Sequence, residues 1–196
     1  MARVLIACLG SGLAGDGAAG SAVHGLLTGC SLPDGARLVL VGPGPLRLLQ
    51  AVDGEEAIVA VGEVELGARP GTVHVLDWSE VPFGSDDASR HGHSLRVTMG
   101  GARVRDPATA PRRAFLVGIE GRAYGGHEGL LHAEVAAALA GAARVALDLA
   151  HGLATLDGAE VPEVSLVEAA GGQVPSSASL VLGGRASAAV LRRGTA

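Results

Sequence analysis

The side chains that could do chemistry are few, and most of them sit beside glycine. Gly10-Ser11-Gly12-Leu13-Ala14-Gly15-Asp16-Gly17 follows a short apolar run, and Asp16 is the one charged side chain in that turn. The first six residues fit the G-x-G-x-x-G pattern, whose logic is a tight turn, close approach of a pyrophosphate and a helix N-terminus facing the anion. The second apolar run closes on Gly42-Pro43, where that chemistry needs an acid for the ribose hydroxyl. Nucleotide binding through Gly10–Gly15 therefore stands as a secondary alternative. His127-Glu128-Gly129-Leu130-Leu131-His132 has the look of a zinc-protease helix with one residue too many. On a helix that spacing sets the imidazoles about 140° apart, so the pair is rejected as a zinc clamp. His91 and His93 could share one side of a strand or lie in a solvated loop. Asp86 and Asp87 lie in the same polar stretch. His24, His74 and His151 read as single structural residues.

What is missing narrows the chemistry further. The chain has 196 residues and its 15 basic residues are all arginine, which excludes a phosphate-loop lysine, a Schiff base and a lysine-activated nucleophile. The formal net charge of −5, without a basic run, and 2% aromatic content argue against a nucleic-acid partner. No G-x-S-x-G elbow occurs. Cys8 and Cys30 make neither a disulfide framework nor a metal spacing, and read as small residues in a reducing compartment. No apolar run approaches the roughly 20 residues of a membrane span, so the expectation is a soluble, cytoplasmic protein.

The elements that must hold these residues alternate between strand and helix. Arg3 to Leu9, Ala36 to Val41, Ala57 to Val64, Thr72 to Leu76 and Arg113 to Ile119 read as strands. Ala18 to Leu27, a short piece around Leu46 to Val52, and Glu128 to His151 carry helical spacing. Asp77 to Pro111 is polar, glycine-rich and without a clear period. The pattern predicts an α/β domain over 1–152: a three-layer αβα sandwich with a mostly parallel twisted sheet. Residues 153–196 form a weakly patterned C-terminal extension, with possible edge strands such as Val164 to Val167 and Leu180 to Leu182.

Taken in order, these pieces resemble the nickel–iron hydrogenase maturation proteases. The resemblance runs through Gly10 to Gly20, Gly42-Pro43-Gly44-Pro45-Leu46-Arg47-Leu48-Leu49, Pro70-Gly71-Thr72, Ser89 to Leu95, and Phe115 to Ile119 followed by His127-Glu128-Gly129-Leu130. It covers residues 3 to about 152. It implies an endopeptidase that trims the C-terminal peptide of a hydrogenase large-subunit precursor once nickel is in place, with no permanently bound cofactor and the substrate's nickel as the recognition element. In that family two carboxylates and one histidine from separate loops hold the nickel. The second acid of the first motif falls here on Gly17, with Asp16 beside it. The aspartate ending the third strand falls on Gly62, with Glu63 next to it, and the histidine falls on His93, with His91 as second choice. The resemblance thus implies Asp16, Glu63 and His93 as metal-site candidates, displaced in both acids. A homologue that has kept the fold and lost cleavage, acting as a binding or assembly factor, is the alternative.

Overall fold

The computed structural model describes residues 2–10, 15–42, 45–78, 90–122 and 130–155, without the side chains of residue 45 and of residues 90–94. Five strands form one sheet: β1 (Val4–Leu9), β2 (Ala36–Val41), β3 (Ala57–Val64), β4 (Val73–Asp77) and β5 (Arg113–Glu120), in the order β2-β1-β3-β5-β4. The first four neighbours are parallel, and β4 closes one edge antiparallel to β5. A 3-10 turn (Gly15–Ala18) leads into α1 (Ala19–Leu27). The other helices are α2 (Pro45–Ala51), α3 (Arg90–Arg105) and α4 (Ala133–Thr155).

Strand alternation sorts the core into two sides. Val4, Ile6, Cys8, Val59, Val61, Phe115, Val117 and Ile119 pack on one face with α1 and α4. Leu5, Ala7, Leu9, Ile58, Ala60, Val64 and Leu116 pack on the other with α2 and α3. This is the three-layer architecture expected from the sequence. All six side chains of β1 are buried, which explains its unbroken apolar run.

The helices depart from the expected pattern in instructive ways. The helical period over Glu128 to His151 becomes α4 from Ala133 to Thr155, and its buried stripe is mostly alanine: Ala138, Ala142, Ala143, Ala146 and Ala150. Leu139 and Val145 are only partly buried beside it. Small side chains let the helix lie close to the sheet. The helix also continues past residue 152, with Leu153 and Ala154 buried and the Ala2 amide donating to the Ala154 carbonyl. Residues 156–196, with the expected edge strands, lie outside the described residues.

Between Asp77 and Pro111 the structure places α3, which the sequence period did not reveal. Leu95, Thr98, Met99 and Ala102 are buried on it at helical spacing. Its three glycines, Gly92, Gly100 and Gly101, obscure that pattern, and one has a packing reason. A Cβ on Gly101 would come 2.9 Å from Leu49 Cδ2, so the bare backbone is what lets α3 approach α2. Asp86 and Asp87 lie outside the described residues. Among the helices described, none is long and apolar enough to cross a membrane.

The two cysteines differ sharply. Cys8 is buried in β1 and burial pushes its thiol up to about 12, whereas Cys30 is exposed. Iodoacetamide at about pH 8 is therefore expected to label Cys30 alone in the folded protein, since the thiolate is the nucleophile. Fragment-ion mass spectrometry of the tryptic peptide 4–37, which carries both cysteines, checks this: Cys8 should take label only after denaturation, and labelling of Cys8 at a comparable rate in native buffer would contradict its burial.

Candidate functional site

The carboxyl ends of the parallel strands carry three buried carboxylates, and the chain spends them differently. Asp16, in the 3-10 turn after β1, is 5% exposed. Its Oδ1 accepts the His132 amide at 2.8 Å, and its Oδ2 meets His132 Nδ1 at 2.8 Å and accepts the Arg122 amide at 3.1 Å. Burial alone would raise this carboxyl, but the His132 amide and ring and the Arg122 amide outweigh it and hold Asp16 below the usual aspartate range.

That grip also explains where α4 begins. His132 is its N-cap residue: the His132 carbonyl accepts the Ala136 amide at 2.8 Å, the first bond of the helix. Its own amide is taken by Asp16, so the chain before it cannot continue the helical ladder, and Leu130 is left exposed. The His132 side chain is 47% exposed, against 3% for Asp16.

Glu63 lies near the end of β3 and is 4% exposed. It leans over Gly121, where an added Cβ would fall 2.1 Å from its Oε1. Asp16 and Glu63 therefore flank the same peptide, Gly121–Arg122, on the α1/α4 side of the sheet. Gly62 belongs to the opposite side, because Ile58, Ala60 and Val64 of its set pack with α2 and α3 while Val59 and Val61 pack with α1 and α4. The one-residue displacement from Gly62 to Glu63 thus changes faces. It does not put an acid back in the same place.

His93 is in the first turn of α3, a helix where the sequence left a strand or a loop open. Arg103, near the other end of α3, stacks 4.8 Å from the Trp78 ring, and the Trp78 amide bonds Ala114 at the start of β5. The first turn of α3 is consequently directed toward the carboxyl ends of the parallel strands. The side chains of His91 and His93 lie outside the described residues, as do His127 and the 11–14 segment. Among the described residues no group of three or more His, Cys, Asp or Glu side chains could hold a metal ion. The structure brings Asp16 and Glu63 to one peptide and adds His132, which sequence reasoning set aside with the failed zinc spacing.

The third carboxylate is Glu120, at the end of β5. Its Oε1 accepts the amides of Leu66, Gly67 and Ala68 at 2.8, 2.8 and 3.1 Å, and its Oε2 meets His74 Nε2 at 2.9 Å. His74 is structural, as expected: it helps fasten the β3–β4 turn. The glycine turn after β1 has its own packing reason, since Cβ atoms on Gly10 and Gly20 would strike the Gly17 and Leu9 carbonyl oxygens.

No family model matches the chain. The hydrogenase expression/formation protein HoxM of Azotobacter vinelandii is 30% identical to it over 118 residues, 59% of this chain and 56% of HoxM. The chain thus spans little more than half the length of that curated relative. The [NiFe] hydrogenase maturation protease HybD from Thermococcus kodakarensis superposes with a TM-score of 0.62 at 25% identity, over 76% of this chain and 99% of that one. The hydrogenase maturating endopeptidase HybD from E. coli gives 0.63 at 24% identity, over 74% and 90%.

Proposed function

Because the chain belongs to the nickel–iron hydrogenase maturation protease family, we propose that it engages a hydrogenase large-subunit precursor, or a related protein, as a binding and assembly factor without cleaving it. Docking uses the carboxyl ends of the parallel strands, where the loops gather. The observation that carries this reading is the state of Asp16. Both of its oxygens are committed to His132 and Arg122, and it is almost wholly buried. Three of its roughly four acceptor sites are taken and it is buried, so turning it outward to ligate a cation would leave amide donors unpaired, at about 1–3 kcal/mol each. Glu63 cannot take the place of an acid at residue 62, because it belongs to the other face. A maturation-type endopeptidase using Asp16, Glu63 and His93 would therefore need both carboxylates to be rebuilt.

The test is incubation of the protein with a nickel-loaded large-subunit precursor, read by intact mass spectrometry and by co-purification. The expected result is a precursor of unchanged mass that co-purifies with this chain. Loss of a discrete C-terminal peptide, abolished by His93→Ala, would overturn the reading in favour of an active endopeptidase. A precursor neither cut nor retained would remove hydrogenase maturation as the function.

A further inference from the structure

The Asp16–His132 pair has a geometry that its capping role does not require. Asp16 holds His132 twice, by the backbone amide and by ring Nδ1, both at 2.8 Å. With the ionised carboxylate accepting at Nδ1, that nitrogen carries the ring proton, and the neutral imidazole is fixed in the tautomer whose Nε2 has a bare lone pair. The ring is half exposed while its carboxylate partner is buried. Nε2 is the ring nitrogen that Asp16 does not hold, and it has no hydrogen-bond partner among the described residues. A carboxylate fixing one ring nitrogen so that the other can ligate is the arrangement that orients metal-bound histidines and strengthens them as donors. Imidazole suits borderline cations such as nickel and zinc.

We propose that His132 Nε2, held by Asp16, is a contact for a divalent transition-metal cation presented at the carboxyl end of the sheet. The inference rests on the proposed function in one respect: the natural source of that cation is the nickel of the bound precursor. Most of the coordination sphere then belongs to the precursor, and one pre-oriented imidazole from this chain completes it. Recognition of the metal has moved from carboxylates to a histidine that Asp16 positions. Asp16 itself acts as a positioning residue.

The experiment uses this chain alone, so it is independent of precursor capture. Nickel ion is titrated into uniformly 15N-labelled protein, and paramagnetic broadening is followed at each imidazole in long-range 1H–15N spectra. His151 is an internal control: it is also exposed and has no carboxylate partner among the described residues. Broadening at His132 is expected at about 10- to 100-fold lower nickel than at His151, the advantage an orienting partner confers. Asp16→Asn should reduce that advantage, and His132→Asn, which keeps a good helix cap, should abolish the tight phase. Equal broadening of His132 and His151, or a tight phase centred on any other histidine, would overturn the proposal. The comparison within the parent protein decides it even where Asp16→Asn fails to fold.

Discussion

Gly20→Ala is expected to cost about 3 kcal/mol or more of the domain's stability, while Gly25→Ala five residues later in the same helix raises it. A Cβ on Gly20 would lie 1.9 Å from the Leu9 carbonyl oxygen, 2.7 Å from its carbon and 2.9 Å from its nitrogen. These are backbone atoms of a buried central strand, which cannot rotate aside as a side chain would. Overpacking a core usually costs about 1–3 kcal/mol, and a clash with fixed backbone belongs at or above the top of that range. Domain stability is only about 5–15 kcal/mol, so the loss is large in proportion. Around Gly25 nothing lies within 4 Å of the added carbon. There alanine gains about 0.5–1 kcal/mol through helix propensity alone. Urea denaturation of the two variants and the parent measures both signs. Equal midpoints would show that α1 does not sit on β1 as described.

Glu120→Ala is the second large effect. It removes the acceptor of three backbone amides and of His74, leaving the 66–68 turn without partners. At about 1–3 kcal/mol per orphaned donor, and with some rescue by water, the expected loss at neutral pH is about 3 kcal/mol or more. Glu120→Gln keeps one oxygen and loses the charge, and should cost less. The pH profile separates charge from shape. Burial tends to raise the Glu120 carboxyl, but His74 and the turn amides hold it below the usual glutamate range. Asp16 is lowered in the same sense, as is Glu55, where the Asp53 amide and Arg37 outweigh burial. A carboxyl lowered in the folded state contributes stability above its unfolded value, about 3.9 for aspartate and 4.3 for glutamate, and loses it as pH falls through the folded value. Stability should therefore change little from neutral pH down to about 5 on account of these groups, then fall steeply below about 4. Glu120→Gln should flatten that fall. An acid limb as steep as the parent's would show that Glu120 is not held as an anion.

How much of this could be read from the chain depended on how local each signal was. The strands were legible because buried parallel strands are written as short unbroken apolar runs, and Ala36–Val41 and Ala57–Val64 begin and end where expected. α3 was hidden because its buried residues are spaced among arginines and three glycines, and one of those glycines serves contact with another helix. The site was legible only in part. The order of motifs led to Asp16 and Glu63, but the consequence of a one-residue shift along β3 required knowing which face each residue takes. His132 was missed because its partner is 116 residues away, and no spacing rule spans that distance. A local signal did exist: histidine stands where a helix usually begins with Ser, Thr, Asp or Asn, and an unusual cap invites the question of what else holds it.

The position of α4 has a further consequence, for the birth of the chain. This last described helix supplies much of the cover for the face of the sheet carrying Val4, Ile6 and Cys8, and it ends with Ala154 bonded to Ala2. During synthesis at about 5–20 residues per second, β1 leads α4 by on the order of ten seconds. Through that interval α1 can shelter only part of the apolar face, and the parallel pairings of β1 with β2 and β3 must form beside an uncovered surface. Nascent chains that stop short of residue 155 should therefore be chaperone clients and aggregation nuclei. Protection from both arrives late and all at once, when α4 docks against the face of the sheet that carries β1.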